Sequence, residues 1–165
     1  MMKALVIYYS RSGHTALVAE AIQKELVAHA VTVEVLRLHR EREAGLLGCA
    51  TEARRGAKPG IVELPKDVSG YDLVFLGFPT CSGRAASPAN SMVKGIQNVS
   101  GKKCALFSTS GFKQGFVKGL NDIGSGIRCL GGDVIATQGF SEGERQAIED
   151  RAAGLVARAL GHSGS

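Results

Sequence analysis

A parallel α/β sheet with helices on both faces is the architecture this sequence predicts, and three observations carry it. Strand-like runs KALVIYY, VTVEVL, LVFLGF, CALFS and VIAT alternate with helix-patterned segments along 165 residues, the pattern of strands joined by helical crossovers. The first, third and fourth runs are nearly continuous in apolar residues, as strands covered on both faces are. The first run also passes through a hydroxyl-and-glycine turn directly into a helix, in VIYYSRSGHTALVAEAI from Val6 to Ile22.

The elements follow in order. The first helix starts at about Gly13 and lines Val18, Ile22 and Leu26 along one side at four-residue spacing, a side that packs on the sheet. VTVEVLRL alternates Thr32, Glu34 and Arg37 with Val31, Val33 and Val35, which suits a strand near an edge. A helix near Gly48 to Arg55 covers one sheet face, with Lys58-Pro59-Gly60 ending it. Ser87 and Pro88 open another helix through Met92, Val93 and Ile96. Ser141 and Glu144 stand in capping-box spacing before a last helix that presents Ile148, Ala152, Leu155 and Ala159 inward. Residues 1–161 therefore read as one domain, and the 162–165 tail HSGS frays.

Composition excludes several classes. Apolar residues make up 44% and charged residues 21%, near globular averages, and no apolar run approaches the roughly 20 residues that span a bilayer. With Lys3 opening the first strand, no secretory leader is expected, and the expected compartment is the cytoplasm. Cys49, Cys81, Cys104 and Cys129 show no tight metal spacing, so neither a zinc site nor a disulfide is implied. Cys104, within CALFS, reads as a packing residue.

The turn after the first strand is built to hold a phosphate. Ser10, Ser12 and Thr15 offer hydroxyl donors, Gly13 lets the backbone turn closely, and the first N–H groups of the helix lack internal partners. The alternative is a Ser-rich turn that merely caps the helix. Val6, Ile7, Tyr8, Ser10, Gly13, Thr15, Ala19 and Ile22 also fill every fixed position of a signature that resembles that of the flavodoxins. The resemblance extends over essentially the whole chain. It implies a doubly wound five-stranded parallel sheet in the order 2-1-3-4-5, with FMN held where strand order reverses beside the first strand. It also brings Arg11 and His14 into the phosphate loop. Arg11 reads as pointing outward, and His14 as hydrogen-bonding or facing solvent.

Two further loops belong to the implied site. In GFPTCSGR, Pro79, Thr80 and Gly83 fit the flavodoxin-like loop that passes the isoalloxazine, but Cys81 and Ser82 stand where relatives place Trp or Tyr. Without that aromatic the ring is less shielded, so a relative that has lost FMN is one reading. Cys81 reads as a small filling residue before it reads as a thiol exchanging electrons with the cofactor. In FSTSGFKQGF, Thr109, Ser110 and Gly111 supply donors for the flavin's polar edge. Phe112 either replaces the missing stack or belongs to the core. The connector GLLGCATEARRGAKPGIVELPKDVSGYD resembles that of small flavodoxin-like proteins with a GxxGC segment, many of them linked to FMN or NAD(P)H.

Net charge is +5, unlike the acidic balance typical of electron-carrier flavodoxins. Arg37, Arg40, Arg42, Arg54, Arg55 and Lys58 outnumber Glu41, Glu43 and Glu52, which accounts for three of the five charges. This connector reads as a solvated face or, more sharply, as a site for an acidic partner or the extra phosphate of NADPH. Rival classes lack their chemistry. KALVIYYS has no acidic residue for a receiver domain's magnesium, and GxxxxGK[ST] is absent. Cys49 to Arg55 matches a phosphatase count but lacks glycine and follows no strand. Nucleic-acid binding is not expected, because the basic connector contains no aromatic residue. The resemblance thus implies a non-covalent FMN protein whose partner is a redox protein or NAD(P)H, as carrier or as oxidoreductase with a quinone-type acceptor. No catalytic acid–base or nucleophilic constellation and no metal site is visible.

Overall fold

The computed structural model of the protein describes residues 1–43, 45–112 and 115–161. The 162–165 tail, and Lys113 and Gln114 of the third loop, lie outside the described residues. Five long strands run parallel: β1 Lys3–Tyr8, β2 Thr32–Arg37, β3 Leu73–Cys81, β4 Lys103–Ser110 and β5 Asp133–Ser141. Their order is β2-β1-β3-β4-β5, the expected 2-1-3-4-5. A short strand, Arg84–Ala85, adds antiparallel to the end of β3 as a sixth member, which the sequence reading did not anticipate. Lys66–Asp67 and Ile96–Gln97 form a separate parallel pair.

Helices α1 His14–Ala28, α2 Leu46–Arg55, α3 Ser87–Gly95, α4 Val117–Cys129 and α5 Ile148–Ala159 cover the sheet. The continuous apolar character of β1 follows from its two-residue side-chain period. Ala4, Val6 and Tyr8 pack with Val18, Ile22 and Leu26 of α1 and with Ala152 and Leu155 of α5. Leu5 and Ile7 face the other way, into a core shared with Met92 of α3 and with Leu120, Ile123 and Ile127 of α4. β2 pairs only with β1 and is half open to solvent, so its alternating pattern does mark an edge. No helix among the described residues is long and apolar enough to cross a membrane.

Three local expectations are corrected. Helix α2 ends at Gly56, whose φ of 64° gives the left-handed C-cap, rather than at Lys58-Pro59-Gly60; glycine reaches that conformation without a Cβ penalty. Ile96 lies past the end of α3, in the short strand pair. The Ser141/Glu144 capping box does not form. Residues Glu142–Ala147 wind as a 3₁₀ helix with Glu144 at φ −116° and no side-chain cap from Ser141. The Glu144 carboxylate instead pairs with Arg151 of α5.

Ser82 and Gly83 are the two central residues of the hairpin joining β3 to Arg84–Ala85, and both have positive φ, 53° and 74°. Two-residue hairpins take that form because its twist matches the strands. Serine bears a left-handed conformation at some cost and a β-branched residue bears it badly. Ser82→Val is expected to lower the unfolding free energy by about 1–2 kcal/mol, and Ser82→Gly to leave it level or slightly raised. Urea denaturation of the two variants checks this.

Candidate functional site

Parallel strands place all their carboxyl ends along one side of the sheet, and order reversal at β1 opens a crevice between the loops after β1 and β3. A cleft of about 180 Å³ lies there, bordered by the segments that follow β1, β3, β4 and β5 and by one face of α2. Of the residues the sequence singled out, Arg11, Ser12, Pro79, Thr80, Cys81, Thr109, Ser110 and Gly111 line it. The rest stand behind or beside it.

Ser10 is buried, and its Oγ accepts the N–H groups of Gly13 at 3.1 Å and Ala16 at 3.3 Å. It therefore caps α1, while its own hydroxyl proton remains to be donated. Gly13, with φ 91°, turns the chain into the helix. The first helical bond is Leu17 N–H to the Gly13 carbonyl at 3.1 Å, so the amides of His14 and Thr15 precede any acceptor the helix supplies.

Thr15 is buried, and its hydroxyl lies 2.8 Å from that of Thr109. The Thr109 carbonyl in turn accepts from Thr80 Oγ1 at 3.2 Å. The start of α1 and the ends of β3 and β4, from distant parts of the sequence, are thus joined through threonine side chains. Thr15 spans the gap between loops, a role its position in the turn did not disclose.

His14 does not face solvent; it is 3% exposed. Neither ring nitrogen has a hydrogen-bond partner. Burial holds its pKa below the ordinary 6.5, with Glu142 opposing that shift and Arg145 reinforcing it. A buried imidazole with both nitrogens unpartnered is rare enough to require an explanation, and an anion at the start of α1 would provide one.

Ser82 and Gly83 form the hairpin tip away from the cleft lining. Phe112, at 61% exposure, is neither a core residue nor a cleft wall. The aromatic that does border the cleft is Tyr9, buried one position beyond β1. Sequence reasoning missed it, along with Cys49, Ala86 and Glu142, although the length of the fifth strand run would have brought Glu142 to the same sheet edge. Among the described residues no group of three or more His, Cys, Asp or Glu could hold a metal ion.

The basic connector divides into two kinds of residue. Arg40 is largely buried and paired with Glu52 through two contacts, at 2.9 and 3.0 Å, and Ser87 Oγ donates to the same carboxylate at 2.8 Å. The pairing holds the Glu52 carboxyl below its usual range. Arg40 is thereby committed to holding α2. Arg37, Arg42, Arg54, Arg55 and Lys58 remain on the surface, with Arg37 also donating to the Ser10 carbonyl at 3.4 Å.

This sheet order, with a donor-lined crevice at its reversal point, defines the flavodoxin-like class of fold. No protein-family model matches the chain. Flavodoxin 2 from Bacillus cereus superposes with a TM-score of 0.67 at 16% identity, over 97% of this chain and 99% of that one. A flavoprotein in complex with FMN from Lactobacillus acidophilus gives 0.59 at 22% identity, over 92% and 99%. In sequence, the chain is 33% and 34% identical to NAD(P)H dehydrogenase (quinone) proteins of Cupriavidus metallidurans and Azorhizobium caulinodans over 87 residues. Those residues are 53% of this chain and 43% of each relative, so the chain spans less than half the length of the curated relatives it matches.

Two outcomes follow from the geometry. Thr15→Val leaves the Thr109 hydroxyl without its buried partner, and is expected to destabilise the ligand-free protein by about 1–3 kcal/mol. The further loss from adding Thr109→Val is then smaller than that of Thr109→Val alone, a comparison urea denaturation makes directly. Separately, the folded imidazole of His14 resists a proton that the unfolded chain accepts near 6.5. Stability therefore falls as pH drops below that value and levels off below the folded pKa. Urea midpoints compared at about pH 7.5 and about pH 5 should show this slope reduced in His14→Gln.

Proposed function

We propose that the cleft binds FMN non-covalently and that the protein is an electron-transfer flavoprotein. The observation that carries this reading is the β1–α1 junction, where the His14 and Thr15 amides and the Ser10 and Ser12 hydroxyls gather at one helix start beside a buried His14 imidazole without a partner. A terminal phosphate is a ligand that such a set of donors fits. The FMN-bound neighbour of the same fold supports it.

In this reading the first loop holds the phosphate, and Thr109, Ser110 and Gly111 meet the ring's polar edge. Bound FMN supplies one- and two-electron redox chemistry, and the protein's part is placement and electrostatics. Tyr9 and Pro79 give apolar wall to the cleft, Arg11 lends positive charge at its mouth, and Glu142 presents a carboxylate that disfavours added negative charge on a ligand. The Thr15–Thr109–Thr80 ties keep these donors in place before a ligand arrives.

A second reading is an NAD(P)H-linked oxidoreductase with a quinone-type acceptor. It is favoured by the names of the curated relatives and by a small residue, Cys81, on the cleft wall where a flavin-covering aromatic would limit access. Exposed Arg54, Arg55 and Lys58 suit the phosphates of NADPH or an acidic redox protein equally well.

FMN is expected to bind in a one-to-one ratio, and riboflavin about tenfold to a hundredfold more weakly or worse, because each charge-assisted hydrogen bond to phosphate contributes roughly 1.5–3 kcal/mol. Fluorescence titration measures both; equal affinities would remove the phosphate assignment. Anaerobic NADPH added to the FMN-loaded protein alone then separates the two readings. Rapid bleaching of the yellow flavin band selects the oxidoreductase, and an unchanged spectrum selects the carrier.

A further inference from the structure

Cys49 and Cys81 are far apart in the sequence, yet both line the cleft, one from α2 and the other from the end of β3. Both thiols border the same cleft, with Cys49 among the groups that raise Cys81, and neither is oxidised. The placement is built into the fold. One helical turn beyond Cys49, Glu52 is clamped between Arg40 and Ser87, which fixes α2 over the cleft wall. Cys81 is the last residue of β3, and its pairing with Arg84 fixes its backbone. The other two cysteines have no such company: Cys104 is sealed inside β4 and Cys129 is exposed at the end of α4.

Resting on the FMN reading above, we propose that Cys49 and Cys81 form a dithiol–disulfide couple that exchanges two electrons with the isoalloxazine bound in the same cleft. In the oxidising direction two S–H bonds break and one S–S bond forms. The two electrons and two protons released reduce one oxidised flavin to its dihydro form. In the reverse direction the reduced flavin returns them, the S–S bond opens, and two thiols are restored. Nothing beyond the flavin is needed for the balance.

The surroundings set the pace of this exchange. Burial first, and then the Cys49 thiol, push Cys81 up to about 11, while Arg11 from the first loop opposes them. Tyr9 and Arg40 lie within electrostatic reach of Cys49, and Glu142 borders the same cleft. Because the thiolate is the attacking form, a thiol raised in this way reacts slowly at neutral pH and faster, by up to roughly tenfold per pH unit, as pH rises. A pair so protected is spared adventitious oxidation and left to a partner held against it.

The test has two arms, both anaerobic and at about pH 9, where more of each thiol is ionised than at neutral pH. In the first, the reduced FMN-free Cys129→Ser protein, which lacks the exposed thiol that would itself take up glutathione, is treated with oxidised glutathione and its thiols are counted by maleimide labelling and mass spectrometry. The count is expected to fall from three to one, with a mass loss of about 2 Da and a peptide linking Cys49 to Cys81. Cys49→Ser should instead keep glutathione on Cys81, and Cys81→Ser should keep it on Cys49, so either variant that folds by circular dichroism serves. In the second arm the disulfide form is loaded with FMN and the flavin is photoreduced. The thiol count should return to three as the yellow band recovers in the dark.

A retained count of three, or a link between other cysteines, overturns the couple. A link that stays closed in a protein holding reduced flavin overturns the exchange while leaving the FMN reading intact. Failure of the chain to become yellow in the second arm removes the FMN reading and the exchange with it, whereas the first arm still decides whether the couple exists.

Discussion

The site depends on a hydrogen bond between two threonine hydroxyls. Thr15 and Thr109, separated by 94 residues, meet at 2.8 Å in the interior, and the Thr109 carbonyl accepts from Thr80. The ends of β3 and β4 are already paired through the strand ladder as far as Pro79 opposite Thr109, and the threonine bond adds the start of α1 to them. Joined in this way, the ends of β1, β3 and β4 behave as one body. The ordering cost is met when the chain folds, so a ligand that enters the cleft loses less affinity to fixing its own walls. The bond is also a point of vulnerability, because a buried hydroxyl that loses its partner is more costly than one never buried.

The remaining wall is made by charge. Arg40 and Glu52 are withdrawn from water, and such a pair is tolerated only when its remaining donors and acceptors are satisfied. Here Ser87, at the start of α3, donates to the carboxylate, and Arg40 also reaches the Arg42 carbonyl at 2.9 Å. The strand-two connector, α2 and α3 are locked at one node. A basic residue that counted toward a partner surface in the sequence is therefore structural, and the available positive charge shifts toward Arg54, Arg55 and Lys58 at the far end of α2.

Local physics was legible in the sequence, and long-range physics was not. Continuous burial made β1, β3 and β4 readable, alternation placed β2 at an edge, and Gly13 announced the start of α1. The capping box after Ser141 failed because Arg151, one turn into α5, draws Glu144 out of helical geometry. The hairpin at Ser82-Gly83 was readable in principle as a two-residue turn, but the flavodoxin-like pattern drew attention to the side chains missing there. No signal in the sequence pairs Thr15 with Thr109 or Cys49 with Cys81. Those meetings are products of topology, which brings strand ends together irrespective of their distance along the chain.

Topology also explains why agreement with the flavodoxin pattern is uneven around the cleft. The β1–α1 end, where we place a phosphate, matches at every fixed position. The departures collect at the end of β3, where Cys81 at the cleft and Ser82 at the hairpin tip stand in place of an aromatic and α2 brings Cys49 alongside. A planar side chain at that wall would cover a bound ring and restrict it to exchange at its edge. Two small thiols there would leave the face of such a ring accessible and set soft, oxidisable atoms where an inert π-surface would stand. With the anchoring end constrained by helix geometry and hydrogen bonding, variation in the chemistry falls to the wall. There the choice between a covered ring and an open one determines what can approach it: another protein's redox centre, a nicotinamide, or the protein's own sulfur.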